Sequence, residues 1–399
     1  MEAKRYLKVF NSQEEYEAQK DEVMDMPHVI LLEDAKSMMY VKETQEEEKD
    51  YSKEYFTIEA LEDGLTVSLT QNASQYRIDD SEWVTLESDT ETPSINNGQK
   101  ISFKITNPTI SRSGIGTFTV NKVFNAEGNI MSLIYDDDFE GRTDLSGKDN
   151  TFKWLFCNCT TLKNAESLIL PATTLASDCY CEMFQSCTSL TTAPELPSTT
   201  LTDNCYSYMF QGCTSLTTAS ELPATTLANG CYQGMFDCCT SLTTVPALPV
   251  TILAEDCYSD MFHSCVNLTE VPELPATTLA KGCYWGMFCD CTSLTTAPEL
   301  PATTLAEHCY EFMFNSCVNL TEAPELFAMT LVDYCYSDMF GCCTNLNYIK
   351  MLATDISASG CLSNWVEGVS NAGVFVKAQG AEIPSGTSGI PSGWTVENI

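Results

Sequence analysis

Hydrophobic positions recur with a period of 26 residues between residues 157 and 361. The dipeptide Cys-Tyr marks each copy from Cys179 to Cys335, and a second cysteine column follows 8 positions later. The common unit reads C-Y-x-x-M-F-x-x-C-x-x-L-T-x-x-P-x-L-P-A-T-T-L-A-x-x. A fixed period of about 20 to 50 residues is typical of solenoids and other arrays. The pattern therefore predicts a stack of 26-residue coils over residues 150–361.

Each coil is predicted to contain one short strand and one tight segment. The strand candidates are residues 216–222 and 294–300, and a recurrent proline such as Pro272 should shorten them by removing one backbone donor. The tight segment contains the Met-Phe pair, as at Met287 and Phe288. It is too short for an isolated helix, so we expect a helical turn or two supported by the next coil.

The repeated apolar columns are predicted to form the core, because a single coil cannot bury them and a stack can. Free cysteine is small, apolar and usually buried, which favours a packing role for the cysteine column. Disulfides between coils are an alternative. Zinc is the least favoured interpretation, because no C-x-x-C pair occurs and the histidines are only His28, His263 and His308. The predicted structural core residues are Cys187, Cys213, Cys239, Cys265, Cys291, Cys317, Cys343, Phe210, Phe236, Phe262 and Phe288.

The motif Phe-x-x-Cys-x-x-Leu followed by Leu-Pro resembles the BspA-like, or Treponema-type, leucine-rich repeat. The resemblance covers about half of the chain, residues 157–361. It implies a leucine-rich-repeat solenoid and a surface-adhesin role, as in proteins of gut Bacteroidetes and of the phages that infect them. The inserted A-T-T-L-A segment and the Cys-Tyr pair depart from the usual shorter unit, so the resemblance does not define the geometry of this longer coil.

Residues 1–42 are predicted to form a small αβ attachment module. Its predicted elements are a strand, a charged helix opened by the capping box Ser12-x-x-Glu15, and a hairpin, at residues 5–10, 12–23 and 29–41. The segment resembles an N-terminal module of virion proteins from crAss-like gut phages. Residues that carry the resemblance are Phe10, Asn11, Tyr16, Pro27, His28, Val29 and Tyr40. The resemblance implies attachment to other virion proteins.

The remaining segments complete an expected α+β multidomain chain. Residues 43–54 are charged and lack a hydrophobic period, which predicts a linker. Residues 55–140 contain short alternating segments separated by turn residues, which predicts an antiparallel β-sandwich. Residues 362–399 are rich in glycine and serine yet contain Trp365 and Trp394, so we predict a C-terminal cap over the end of the solenoid.

The chain is strongly acidic, with a formal net charge of -35 from 55 acidic and 20 basic residues. A field of this sign repels phosphates and anionic lipid, so nucleic-acid binding is not expected. We also expect no membrane span, because no run of 18 apolar residues occurs. The N-terminal sequence has no apolar signal segment, so a secretory signal is either absent or was removed before residue 1. We expect synthesis and folding in a cytoplasm unless another route exports the chain.

The sequence contains no recognisable catalytic motif. It has no Walker sequence, G-x-G-x-x-G, H-E-x-x-H or G-x-S-x-G, and no histidine has a plausible Ser or Cys partner nearby in sequence. Asp136–Asp138 lacks the spacing of a calcium loop. We therefore predict no catalytic residue, no cofactor, no metal and no enzyme activity.

Surface recognition is the function that remains. The two positions after Cys-Tyr vary most between copies and are therefore expected to face solvent, where their aromatic residues could stack on sugar rings or contact a protein. Neutral drift on a solvent-exposed face is the alternative explanation. The candidate ligand-binding residues are Tyr208, Trp285 and Phe312.

Together these features predict a non-enzymatic phage virion protein, on a tail or head fibre or spike, that presents its leucine-rich repeats for host-cell adhesion. Expected partners are a bacterial surface glycan or protein at the solenoid, other virion proteins at the N-terminal module, and two further copies in a homotrimer. The expected location is the virion, after synthesis in the host cytoplasm. A bacterial cell-surface adhesin and a purely structural virion component are the alternatives.

Overall fold

The computed structural model describes the strands at residues 6–10, 28–32 and 38–40 and all of residues 50–399. The chain forms two compact units, Met1–Asp50 and Tyr51–Ile399. Its described residues are mostly β and turn, with one four-residue helix, α1 (Ser132–Tyr135), and two short 3-10 turns. The helical component of the expected α+β class is therefore nearly absent from the described part of the chain.

The first unit contains a small three-stranded sheet. Strand β1 (Tyr6–Phe10) pairs in parallel with β2 (His28–Leu32), and β2 pairs antiparallel with β3 (Met38–Tyr40). The antiparallel pair matches the predicted hairpin. The predicted helix at residues 12–23 and most of the predicted linker lie outside the described residues.

The second unit begins with two sheets that share a core. Their strands are β4 (Phe56–Ala60), β5 (Val67–Leu69), β6 (Ser74–Ile78), β7 (Val84–Leu86), β8 (Lys100–Lys104), β9 (Phe118–Val120) and β10 (Phe124–Asn129). The larger sheet has the order β10-β4-β8-β6-β7 with antiparallel neighbours, and β5 pairs with β9 in a separate ribbon. Phe56, Phe103 and Phe118 are fully or almost fully buried and bring the two sheets into contact, with ring centroids 5.2–6.1 Å apart.

Strand β10 joins this region to the first coil. One edge of β10 pairs with β4, and the other pairs in parallel with β11 (Leu162–Asn164) and β12 (Leu168–Ile169). Phe156 of the first coil also packs on Phe56 and Phe118, with both centroid distances 5.8 Å. The repeats and the preceding sheets therefore share one hydrophobic core.

The segment around Met-Phe is a ribbon of turns and not the helical turns expected from the sequence. In the copy at residues 178–187, alternate amides donate to the next coil, as from Phe184 N–H to the Met209 carbonyl at 2.9 Å. The amides between them donate three residues back, as from Met183 to Tyr180 at 3.2 Å. Every fourth residue of this turn ribbon has a positive φ, for example Asp178 at 55°. A continuous helix would not place residues in this left-handed region.

The strands predicted at residues 216–222 and 294–300 are also absent, since neither segment contains an assigned strand. On this side, coils pair through isolated parallel bridges, such as Thr200 with Thr226 and Thr278 with Thr304. Pro298 removes a backbone donor from the segment 294–300, whereas Ser220 takes that position in the segment 216–222, which Pro223 follows directly. Inter-coil hydrogen bonding is therefore concentrated in the turn ribbons.

Two ladders of aromatic rings run along the core of the stack. Tyrosines from Tyr180 to Tyr336 stack with centroids 5.7–6.0 Å apart, and phenylalanines from Phe156 to Phe340 stack at 5.4–5.8 Å. Both ladders end on Trp365, which lies 6.4 Å from Tyr336 and 6.0 Å from Phe340. Trp365 thus closes the aromatic core at its C-terminal end.

The structure places the predicted cysteine column and its phenylalanine partners in this core. From Cys187 to Cys343, each of these column cysteines has 0% exposure, as do Phe210, Phe236, Phe262 and Phe288. Each thiol donates to a phenylalanine carbonyl of the preceding coil, as from Cys213 Sγ to Phe184 O at 3.1 Å. A small side chain that carries a weak donor therefore fits this position well.

The parallel pairing continues into the predicted C-terminal cap. Strand β13 (Tyr348–Met351) pairs with β14 (Val374–Lys377), which pairs with β15 (Thr395–Asn398). Trp394 is buried and donates from Nε1 to the Ser370 carbonyl at 2.7 Å. In the described part of the chain, no helix is long and apolar enough to cross a lipid bilayer.

Candidate functional site

The outward residues of the turn ribbons form the surface on which the candidate ligand-binding residues lie. Tyr208, Trp285 and Phe312 are each half-buried on this face. The expectation that both variable positions face solvent is wrong at Ser207, Ser259 and Ser337, which are buried with 2–3% exposure. The variable positions thus combine buried small residues with half-exposed large ones.

The three aromatic residues meet around one open cavity, which we call the aromatic cleft. Its volume is about 350 Å³. Trp285 and Phe312 are in edge-to-face contact with centroids 5.7 Å apart. The lining residues are Tyr208, Gln211, Asp237, Asp260, His263, Trp285, Gly286, Cys289 and Phe312. Residues that are 104 positions apart in sequence therefore contribute to one site.

Glycines in alternate coils make room for the larger side chains of this face. Gly234 has a φ of 57°, and a Cβ atom there would lie 2.1 Å from the Tyr208 ring. At Gly286 a Cβ atom would lie 2.4 Å from Asp260 Oδ1. Each large residue thus lies over the glycine of the next coil, and the alternation fixes the positions of Tyr208 and Asp260 in the cleft.

A chain of hydrogen-bonded polar side chains forms the floor of the cleft. Gln185 Nε2 donates to Gln211 Oε1 at 2.5 Å, and Gln211 Nε2 donates to Asp237 Oδ2 at 2.5 Å. His263 Nδ1 lies 2.7 Å from Asp237 Oδ1. These residues occupy the same position in four successive coils, so the repeat itself aligns them.

This floor carries a paired charge. The hydrogen bond to Asp237, followed by one to Cys289, raises the pKa of His263 to about 10. Burial acts to raise the pKa of Asp237, but hydrogen bonds from His263 and Gln211 outweigh it and leave that pKa below its ordinary value. Burial raises the pKa of Asp260 to about 7. At neutral pH the floor therefore contains an imidazolium–carboxylate pair next to a carboxyl group close to its titration midpoint.

Trp285 also lines a second open cavity, of about 330 Å³. Its indole Nε1 donates to Glu311 Oε2 at 3.2 Å, and the same oxygen lies 2.5 Å from His308 Nδ1. The imidazole of His308 stacks on Tyr334 with centroids 5.0 Å apart. The hydrogen bond to Glu311 fixes the indole, so Trp285 is a rigid wall between two polar depressions.

One chemical pairing was not predicted from the sequence. His263 and Cys289 are 26 positions apart in sequence, but they are neighbours in space. Alignment of the coils would have shown the column Asp237, His263, Cys289. Burial raises the pKa of the Cys289 thiol, which disfavours the reactive thiolate.

The acidic run at Asp136–Asp138 lies apart from this face in sequence and is paired with basic side chains. Lys104 Nζ lies 2.9 Å from Asp136 Oδ1 and 2.6 Å from Asp137 Oδ1. Arg142 forms an ion pair with Asp138. These contacts give the run a structural role in the β region.

Comparisons with known proteins add one distant likeness. No family model and no curated protein matches the chain. Among solved structures, the chain is similar to a leucine-rich repeat protein from Bacteroides ovatus ATCC 8483, with 19% sequence identity and a TM-score of 0.43. The match covers 74% of this chain and 75% of that one. A likeness this distant does not transfer a function.

Proposed function

We propose that the chain is a non-enzymatic recognition protein of the leucine-rich-repeat class that binds a bacterial surface glycan in the aromatic cleft. The observation that carries this proposal is the convergence of Tyr208, Trp285 and Phe312 around a polar floor. Small-molecule sites typically combine aromatic walls with a few fixed polar groups. Sugar rings suit such a site, because their C–H faces pack on aromatic rings while their hydroxyls hydrogen-bond to carboxylates and amides.

The charge of the cleft narrows the class of glycan. The His263 imidazolium balances the Asp237 carboxylate, whereas Asp260 is close to its titration midpoint and adds negative charge. Glu311 borders the indole from the second cavity, in a chain with a formal net charge of -35. A sulfated or phosphorylated polymer would be repelled by this surface. The cleft therefore favours a neutral or amino-substituted glycan.

The repeat provides substitutions that its own fold accommodates. Gln233 occupies the position of Trp285 in another coil, so Trp285→Gln should preserve the backbone while removing the aromatic wall. We expect this variant to bind the selected glycan at least about tenfold more weakly, which corresponds to about 1.4 kcal/mol. The control is Ile252→Thr, because Ile252 is 84% exposed, lines neither cavity and replaces the threonine of the common unit.

The measurement is a glycan array with the full chain, followed by calorimetric titration of the variants against the best ligand. Equal affinity of Trp285→Gln and the unaltered chain would place the binding surface elsewhere. Absence of any glycan ligand, with binding to host cells that persists after removal of surface polysaccharide, would indicate a protein receptor instead.

The proposed location is a phage particle, with the N-terminal unit attached to other proteins of a tail or head appendage. The resemblance of residues 1–42 to phage virion modules supports this placement. Mass spectrometry of purified virions and of bacterial envelope fractions tests it. Detection only in the envelope fraction would favour a bacterial cell-surface adhesin, and presence in virions that have no glycan or cell binding would favour a purely structural component.

A further inference from the structure

His263, Cys289 and Asp290 bring three potential metal ligands together at the floor of the cleft. One ligand atom from each residue lies within 4.8 Å of the other two. Asp290 Oδ2 is 3.6 Å from His263 Nε2 and 3.7 Å from Cys289 Sγ. Tetrahedral zinc with ordinary bond lengths separates such ligand atoms by about 3.4–3.6 Å, so a small closure of the three side chains would suffice.

Hydrogen bonding at Nδ1 fixes the orientation of the His263 imidazole ring. His263 Nδ1 lies 2.7 Å from Asp237 Oδ1, and Gln211 holds the other carboxylate oxygen of Asp237 at 2.5 Å. A carboxylate on the far nitrogen of a histidine ligand fixes the ring and directs the near nitrogen to the metal. Here that near nitrogen is Nε2, which faces Asp290.

An alternative triad, formed by Asp237, Cys238 and His263, also has its ligand atoms within 4.8 Å. It is less suitable, because Asp237 Oδ1 already engages His263 Nδ1 at hydrogen-bond distance. The metal would have to break that hydrogen bond. The triad with Cys289 and Asp290 keeps the bond and uses it for orientation.

We propose that His263 Nε2, Cys289 Sγ and Asp290 Oδ2 bind one zinc ion, with Asp237 as a positioning residue. The donor set of thiolate, imidazole and carboxylate is one that zinc accepts. On binding, the thiol proton that Cys289 donates to Asp290 and the Nε2 proton of the His263 imidazolium both leave to solvent, and the sulfur–metal and nitrogen–metal bonds replace them. Three protein ligands leave a fourth position for water or for an oxygen of a ligand in the cleft.

The zinc site shares His263 and Cys289 with the floor of the cleft, but its test requires no glycan and uses cobalt as a spectroscopic substitute for zinc. The full, reduced chain is titrated with Co²⁺, and we expect thiolate-to-cobalt charge-transfer absorption that saturates at one equivalent and is removed by Zn²⁺. Cys289→Asn should abolish this absorption. Asn315 occupies the same column, so the substitution has a precedent in the fold, and circular dichroism verifies folding.

Two further variants test whether Asp290 and Asp237 contribute to metal affinity. Asp290→Ser introduces the residue type that Ser264 and Ser316 supply in the same column, and it should weaken binding at least about tenfold. Asp237→Asn should weaken binding about 10- to 100-fold while it retains the charge-transfer absorption, because the sulfur ligand is still present. Cys342→Ser is the matched control, since Cys342 is exposed and belongs to the Asp290 column.

Several results would overturn the proposal. These are absence of the charge-transfer absorption in the unaltered chain, its persistence in Cys289→Asn, or its loss in Cys342→Ser. Loss in Cys238→Ser with retention in Cys289→Asn would assign the ion to the alternative triad. If no metal binds and iodoacetamide alkylates Cys289 faster than Cys342, the His263–Cys289 pair would be a reactive thiol instead of a metal site.

Discussion

The tyrosine ladder contains an oxygen atom whose removal should stabilise the fold. The hydroxyls of Tyr180 and Tyr232 are buried and have no hydrogen-bond partner in the described residues. A buried polar group without a partner costs about 1–3 kcal/mol. Tyr232→Phe removes only this group and leaves the ring between Tyr206 at 5.9 Å and Tyr258 at 6.0 Å. We therefore expect the free energy of unfolding of the surrounding coils to increase by about 1–3 kcal/mol.

Urea unfolding of the full chain measures this change, with hydrogen exchange as a local readout because long repeat arrays can unfold in parts. A suitable probe is the Tyr206 amide, which donates to the Cys231 carbonyl at 3.1 Å and should exchange more slowly in the variant. Tyr258→Phe is the control, because its hydroxyl is not among the buried groups without a partner. A destabilised Tyr232→Phe, or equal gains in both variants, would refute the reasoning.

Two further predictions concern backbone conformation and pH. Gly234→Ala should lower the free energy of unfolding by more than about 1 kcal/mol and displace Tyr208, because the glycine has a φ of 57° and the new methyl group would meet the ring. Thermal unfolding measures the loss of stability, and glycan affinity measures the displacement of Tyr208. Gly212→Ala is the control, because its new Cβ atom would lie 3.4 Å from Ser186 Oγ. This variant should lose stability without displacing the residues of the cleft. The hydrogen bond from Lys104 holds the pKa of Asp137 below its ordinary value. The ionised carboxylate therefore stabilises the fold at pH values above the unfolded pKa of about 3.9. This contribution is lost as the pH falls through the pKa of the folded state. The stability difference between the unaltered chain and Asp137→Asn should therefore shrink on acidification in urea unfolding, and a pH-independent difference would contradict it.

The period and the inward-facing columns could be predicted from the sequence because every copy places the same apolar residue types at the same positions. Phe210 and Cys213 recur at the same positions in coil after coil, and a residue type repeated in this way indicates a shared buried environment. The turn ribbon could not be predicted in the same way. Tyr208 and Phe312 have φ values of 53° and 57°, a conformation that such residues rarely adopt. Hydrogen bonds to the next coil impose this positive φ, and local residue propensities do not predict such contacts between coils.

The aromatic residues of the candidate site could be predicted from variation between copies, whereas its polar floor could not. Trp285 stands out against Gln233 in the same column, so its surface role could be inferred from one chain. Asp237, His263 and Cys289 become neighbours only when residues one coil apart are compared with each other. Charge, burial and hydrogen bonding at this floor depend on the spacing between coils, which composition and local motifs do not define.

The two aromatic ladders have a consequence for how such a chain can change in length. Within each ladder, a ring packs on a copy of itself, and the unique contacts are at the ends. Phe152 precedes the tyrosine ladder, Phe118 precedes the phenylalanine ladder, and Trp365 closes both. Insertion or deletion of a whole 26-residue unit between these ends would recreate an interface that the chain already contains. Recombination between copies can therefore change the length of the stack in steps of one coil and bring its surface side chains into new combinations. The packing of the core would stay the same.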